Sequence, residues 1–168
     1  LAEAVAAFPK EIGPEKKKAE KATAKTKTSG DDSWIAAEPK PQWIWRADKT
    51  DNTPIYLRHG FTVKGAVKSA RLYSTCDNGV TLWINGKEVG TAPDWQKPII
   101  IDDAAGFLTT GVNQISAKAS IRGGTPVFVL KMEIETAEGR QQVLSGDDWK
   151  LALSGDEGWQ QIAFDDAA

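Results

Sequence analysis

From residue 33 onward the chain alternates apolar and polar positions. Ile55, Leu57, Phe61 and Val63 lie on one side of the stretch 55–63. Ala70, Leu72, Ser74 and Cys76 share a side in the next stretch, and Val80, Leu82 and Ile84 in the third. Ile115, Ala117, Ala119 and Ile121 alternate with Ser116, Lys118 and Ser120, and Phe128, Leu130, Met132 and Ile134 with Val129, Lys131, Glu133 and Glu135. A period of two marks strands with one face on a core and the other toward water. After a turn at Ala137-Glu138-Gly139-Arg140, shorter strands follow at 142–144 and 149–153. Many short strands with Gly and Asn between them, and almost no helical periodicity, predict an all-β, antiparallel β-sandwich of the jelly-roll type.

Residues 71–90 carry the sharpest local signal. They read as three strands joined by two tight turns, Asp77-Asn78-Gly79 and Asn85-Gly86. Asn-Gly suits a two-residue hairpin because both central residues accept positive φ. Antiparallel up-and-down traffic then sorts the loops to two ends. One end collects 46–54, 77–79, 91–96 and 122–126, which carry Arg46, Asp48, Asp51, Asn52, Asp77, Asn78, Asp94, Trp95 and Arg122, with Trp45 at the edge. The other collects 65–68, Asn85-Gly86, 109–112 and 137–140, which are ordinary turn residues. The first set suits a sugar, whose apolar C–H face stacks on indole while its hydroxyls bond planar amide, carboxylate and guanidinium groups. The expected ligand contacts are Trp95, Asp77, Asn78, Arg122, Asp94, Trp45, Arg46 and Asn52.

Residues 1–33 differ in character. The run 16–25 is rich in Lys and Ala without an apolar stripe, and Pro14 suits a helix first turn. This part reads as a solvated linker or short helical or flexible tail, leaving 34–168 as the sandwich. The chain opens on Leu1 rather than Met, which reads as a processed product or a fragment. A net charge of −2 gives no bulk attraction to nucleic acid, and no apolar run approaches a membrane span, so neither partner is expected. A single cysteine, Cys76, allows no internal disulfide and reads as a small core residue.

Catalytic chemistry finds little support. The acidic pairs Asp31-Asp32, Asp102-Asp103, Asp147-Asp148 and Asp165-Asp166 are sequence neighbours, which in a strand point to opposite faces and form no hydrolytic dyad. His59 is the only histidine, and nothing near it supplies a nucleophile motif. It reads as structural or ligand-contacting. Asp48, Asp51 and Asn52 offer oxygen ligands that calcium prefers, against the alternative of an Asx-turn cluster, so a structural calcium is the one cofactor entertained. Of seven Trp, Trp83 and Trp149 read as packing, Trp159 as a pin for the carboxyl-terminal segment and Trp34 as an anchor for the tail. One of Trp43 and Trp45 reads as core, and Trp95 as the exposed stacking platform.

Several motifs occur in a recognisable order: Tyr56-Leu57-Arg58, Phe61-Thr62-Val63, Ala70-Arg71-Leu72-Tyr73, Asp77-Asn78-Gly79 and 82–90. Further along come 111–115, Gly123-Gly124, Trp149-Lys150, Gly158-Trp159 and Phe164-Asp165-Asp166. Over roughly 43–166 the chain resembles the galactose-binding-like jelly-roll domains attached to bacterial glycoside hydrolases, notably the α-L-rhamnosidase amino-terminal and β-galactosidase-type sugar-binding domains. It is also similar to modules beside c-type cytochrome domains of large bacterial surface proteins. The resemblance implies a non-catalytic carbohydrate-binding module, with a polysaccharide or oligosaccharide as ligand and a secreted, periplasmic or cell-surface location. The alternative is a structural accessory domain packed against neighbouring domains of a larger protein. A third reading, a peptide-binding adhesion module, would use a sheet edge.

Overall fold

The computed structural model describes residues 32–47 and 53–165. The tail 1–31 and the calcium and ligand candidates Asp48, Asp51 and Asn52 lie outside the described residues. Among the described residues nine strands follow in order: β1 (Ile55–Val63), β2 (Val67–Cys76), β3 (Val80–Ile84), β4 (Lys87–Ala92), β5 (Ile99–Ile101), β6 (Gly111–Ala119), β7 (Phe128–Thr136), β8 (Gly139–Leu144) and β9 (Lys150–Ala152). A one-turn helix, α1 (Ser33–Ala36), precedes them. A five-stranded sheet in the order β4-β3-β6-β1-β9 faces a four-stranded sheet in the order β5-β2-β7-β8, and the pairings within both are antiparallel. The predicted all-β sandwich is the observed fold. Its core is the alternating set read from the sequence, with Leu57, Leu72, Leu82, Ile84, Ile115, Phe128, Leu130, Met132 and Ile134 all but inaccessible.

Two turns in 71–90 do different things. Asn85 and Gly86 both take positive φ, 51° and 77°, and close the β3–β4 hairpin as expected. Asp77-Asn78-Gly79 is not a hairpin turn. It carries the chain from β2 in one sheet to β3 in the other. Inward residues of both strands face the same core from opposite sides, so alternation runs through the corner unbroken and cannot distinguish it from a hairpin.

Each sheet's outer face is covered by a strap. Over the four-stranded sheet, Trp34 of α1 lies under the Arg71 guanidinium at 4.5 Å. The fully buried Lys131 donates to the carbonyls of Ala37 and Pro39 at 2.6 and 3.2 Å. Lys131 and Glu133, which alternation turns toward water, are thus buried beneath chain that is distant in sequence. Burial opposes ionisation of Glu133, but hydrogen bonds from Arg71 and Gln142, with the charges of Arg71 and Arg140, outweigh it and hold this carboxyl below its usual range.

Over the five-stranded sheet, Trp159 meets Tyr56 and Trp83 edge-on at 5.1 and 5.3 Å. Arg58 donates to the carbonyl of Gln161, and its guanidinium lies 4.9 Å from the centre of the Phe164 ring. Trp83 therefore packs, but outside the sheet and not between sheets. Trp159 pins the carboxyl-terminal segment as expected. Cys76 sits in the core, and burial pushes its thiol pKa up.

Candidate functional site

Three of the four loops expected at one end meet there. Loop 77–79 follows β2, loop 93–98 joins β4 to β5, and loop 120–127 joins β6 to β7. Backbone hydrogen bonds weave them together: Asp77 N donates to Val127 O at 3.3 Å, Trp95 N to Asp77 O at 3.3 Å, and Ser120 N to Gly79 O at 2.9 Å. Gly124, at φ 91°, brings its backbone so close to Asp77 that a Cβ would sit 3.0 Å from Oδ2. That contact and that φ both call for glycine. The fourth loop arrives from the same side. Ile44 forms a backbone bridge with Phe128, Trp45 and Arg46 follow it, and β1 restarts at Ile55 opposite Ala119.

The expected contact residues divide by what their side chains already do. Asn78 Oδ1 accepts from the backbone N–H of Arg122, and its Nδ2 donates to Asp77 Oδ2 at 3.1 Å. Asn78 is a staple between loops. Asp94 Oδ1 accepts from Gln96 N at 2.9 Å, an Asx-turn that shapes the approach to Trp95. Trp45 packs half-buried against the core. Its Nε1 is buried without a hydrogen-bond partner among the described residues. Arg46 is half-buried beside it. Trp95 and Arg122 remain outward: Trp95 is 59% exposed, and Arg122 is exposed.

Trp95 is nonetheless held in place. Its N–H bonds Asp77, and its carbonyl accepts from Thr75 Oγ1 at 3.4 Å. The loop is fixed while the indole is free, the arrangement a stacking platform requires.

A second concave feature lies on the side of the sandwich. His59 Nδ1 is 3.6 Å from Asp148 Oδ2, and Ser145 lines the same groove. These are the three residue types of a hydrolytic triad. The serine, however, is 1% exposed, and its Oγ donates to Gln42 O at 2.6 Å while accepting from Leu130 N at 3.1 Å. It is a structural hub and not a nucleophile. Among the described residues, no group of three or more His, Cys, Asp or Glu is gathered as a metal site, and no helix is long and apolar enough to cross a membrane.

The sheet order and the loop cluster define an antiparallel β-sandwich with three loops bonded together at one end. No protein-family model matches the chain. An α-L-rhamnosidase of Alteromonas sp. (strain LOR) is 27% identical over 147 residues, covering 73% of this chain and 16% of that protein. The fold superposes on part of Streptomyces avermitilis α-L-rhamnosidase, solved with L-rhamnose, at a TM-score of 0.70 with 22% identity, covering 76% of this chain and 14% of that one. It also superposes on a Pleurotus ostreatus lectin, solved with GalNAc, at a TM-score of 0.64 with 20% identity over 75% of this chain and 39% of the lectin. The chain spans about one sixth of the curated relative it matches.

Proposed function

We propose that the chain is a non-catalytic carbohydrate-binding domain whose site is the loop end. One observation carries the reading: an indole that is 59% exposed stands on a loop locked by backbone bonds, at the end that also presents the exposed Arg122. A sugar ring stacks on Trp95, Arg122 bonds its hydroxyls, and Asp77 accepts from them while Asn78 holds the two loops in register. The site is open, so affinity is modest, with Kd on the order of 0.1–1 mM. The relatives with this fold, solved with L-rhamnose and with GalNAc, recommend those two sugars as first probes. Isothermal titration with each, and with rhamnose-containing oligosaccharides, tests the proposal. Heat that saturates with wild type and loses its loop-end component in Trp95→Ala supports it. A wild-type domain silent to a broad glycan panel overturns it.

A second reading is favoured by a different observation. Trp43 (61% exposed), Leu153 and Ile162 are large apolar residues that stand out to solvent. An accessory domain packed against its neighbours in a larger polypeptide would cover such residues. It predicts no glycan affinity and a stable association with an adjacent domain.

A further inference from the structure

We propose that the groove on the side of the sandwich is a second saccharide site, separate from the loop end and independent of that reading. The groove arises from a short strand. β9 pairs with β1 only at Tyr56, Leu57 and Arg58, so the inward side chains of the next part of β1, His59 and Phe61, stand at an open mouth between the sheets. β8 forms the opposite lip. The space is about 500 Å³, within the range of small-molecule pockets and large enough for one or two sugar rings.

Its lining has the two-sided chemistry that saccharides need. The wall is aromatic: His59 and Phe61 line it with their rings parallel (6.2 Å, 6°), and the buried Trp149 backs His59, parallel to it at 5.2 Å and 11°. The rim is polar, with Lys40 and Gln42 from the amino-terminal strap and Asp147 and Asp148 from the β8–β9 connection. The Asp148 side chain is 69% exposed, so its carboxylate is open to vicinal hydroxyls, which replace the water bound there.

The walls are set before any ligand arrives. Ser145 ties the β8–β9 connection to the strap and to β7, through Gln42 and Leu130. Trp149 Nε1 donates to Leu144 O at 2.9 Å. Near the junction of β1 and β8, the Gln141 amide bonds both the N–H and the carbonyl of Lys64, at 3.2 and 2.8 Å. A rigid groove loses little entropy on binding. Two sites on one small domain would let a polymeric glycan bind with avidity that neither site has alone.

His59 is the only histidine of the chain, so its imidazole signals report on this groove alone. The test is a protein NMR titration with L-rhamnose, GalNAc and a rhamnose-containing oligosaccharide. The expected result is saturable shifts of the His59 ring, the Trp149 indole and the amides of 145–148. These persist in Trp95→Ala and weaken at least about tenfold in Asp148→Ala. Asp148 is exposed, so that variant should fold; an unchanged melting curve checks this, and Lys40→Ala serves as a second variant. Overturning results are an unmoved His59 at about 20 mM of every probe, far above the roughly millimolar Kd of an open site, shifts that disappear in Trp95→Ala, or shifts untouched by both rim substitutions. Amides of 77–79 and 122–124 report the loop end separately, so failure of either site is distinguishable from failure of the other.

Discussion

The two ends of the sandwich are built from the same residue types and use them in opposite ways. At the end holding the Asn85-Gly86 turn, Asn113 is fully buried. It accepts from Thr109 N and Asn85 Nδ2 at 2.9 and 2.8 Å and donates to the carbonyls of Thr109 and Gly111 at 2.7 and 2.9 Å. Asn85 in turn donates to Phe107 O and accepts from Gln114 N. These amides turn inward and close the end on itself. At the other end Asn78 staples two loops in the same manner, but the loops it joins present Trp95 and Arg122 to solvent. Amide-to-backbone bonding builds both ends; both show an exposed guanidinium, Arg122 at one and Arg140 at the other, but the loop end adds the outward indole of Trp95 on a finished frame. The distinction lies in what the frame displays, and it can be broken by substitution.

The largest effect belongs to the closed end. Asn113→Ala leaves Thr109 N, Asn85 Nδ2 and two carbonyls short of a partner inside the fold. The expected cost is about 3 kcal/mol, a fall in melting temperature of roughly 10 °C for a domain of this size. Denaturant unfolding measures it. Glycan affinity of the remaining folded fraction should be unchanged. A comparable loss of affinity would mean that the two ends are not independent.

Trp95→Ala is the mirror image. The indole is mostly outside, so melting should move by less than about 2 °C. Glycan binding at the loop end should drop tenfold or more, about 1.5 kcal/mol. Calorimetry and thermal unfolding on the same preparation separate the two readouts. An unaltered affinity would remove the loop end from the binding reading and move the saccharide contact elsewhere on the domain.

Asn78→Ala should fall between. It frees the Arg122 backbone N–H and the Asp77 carboxylate, costing about 1 kcal/mol of stability. Because loop 120–127 is then less well held, affinity should weaken several-fold through lost preorganisation and not through lost contact. Hydrogen exchange should show faster opening at Arg122 and Gly123, with the closed end unaffected.

The sequence carried this frame unevenly. Strand β1 falls at 55–63, as alternation predicts, and Asn85-Gly86 makes the hairpin that Asn-Gly predicts. These are local rules, and they held. The meeting of 77–79, 93–98 and 120–127 followed from counting strand directions, which survives a change of sheet because parity does not depend on pairing partner. That same indifference is why the 77–79 corner reads as a hairpin. Lys131 and Glu133 read as solvent-facing because the strap that buries them lies about 90 residues away, beyond any periodicity window. The side groove was illegible for a related reason: His59, Lys40 and Asp148 come from three separate segments and share no spacing. Within the loop end, residue type alone could not separate Asn78, spent on the frame, from Arg122, presented outward.

The smallest expected effect tests a region that belongs to neither end. Glu133 sits under the amino-terminal strap, bound by Arg71 at 2.6 Å and by Gln142 at 3.1 Å. Its folded-state pKa is below the ordinary value, so its contribution to stability is fully present above the unfolded pKa of about 4.3 and is lost as pH falls through the lower, folded value. Glu133→Gln removes the charge and keeps the shape. Because the Arg71 side chain is 38% exposed, screening limits the ion pair to about 1 kcal/mol or less. Urea midpoints of wild type and variant should therefore differ at pH 7, converge through the range below pH 5, and coincide once the wild-type carboxyl is protonated. Glycan affinity at pH 7 should be the same in both. A gap that persisted at low pH would assign the effect to packing beneath the strap, and a change in affinity would tie the strap to the loop end.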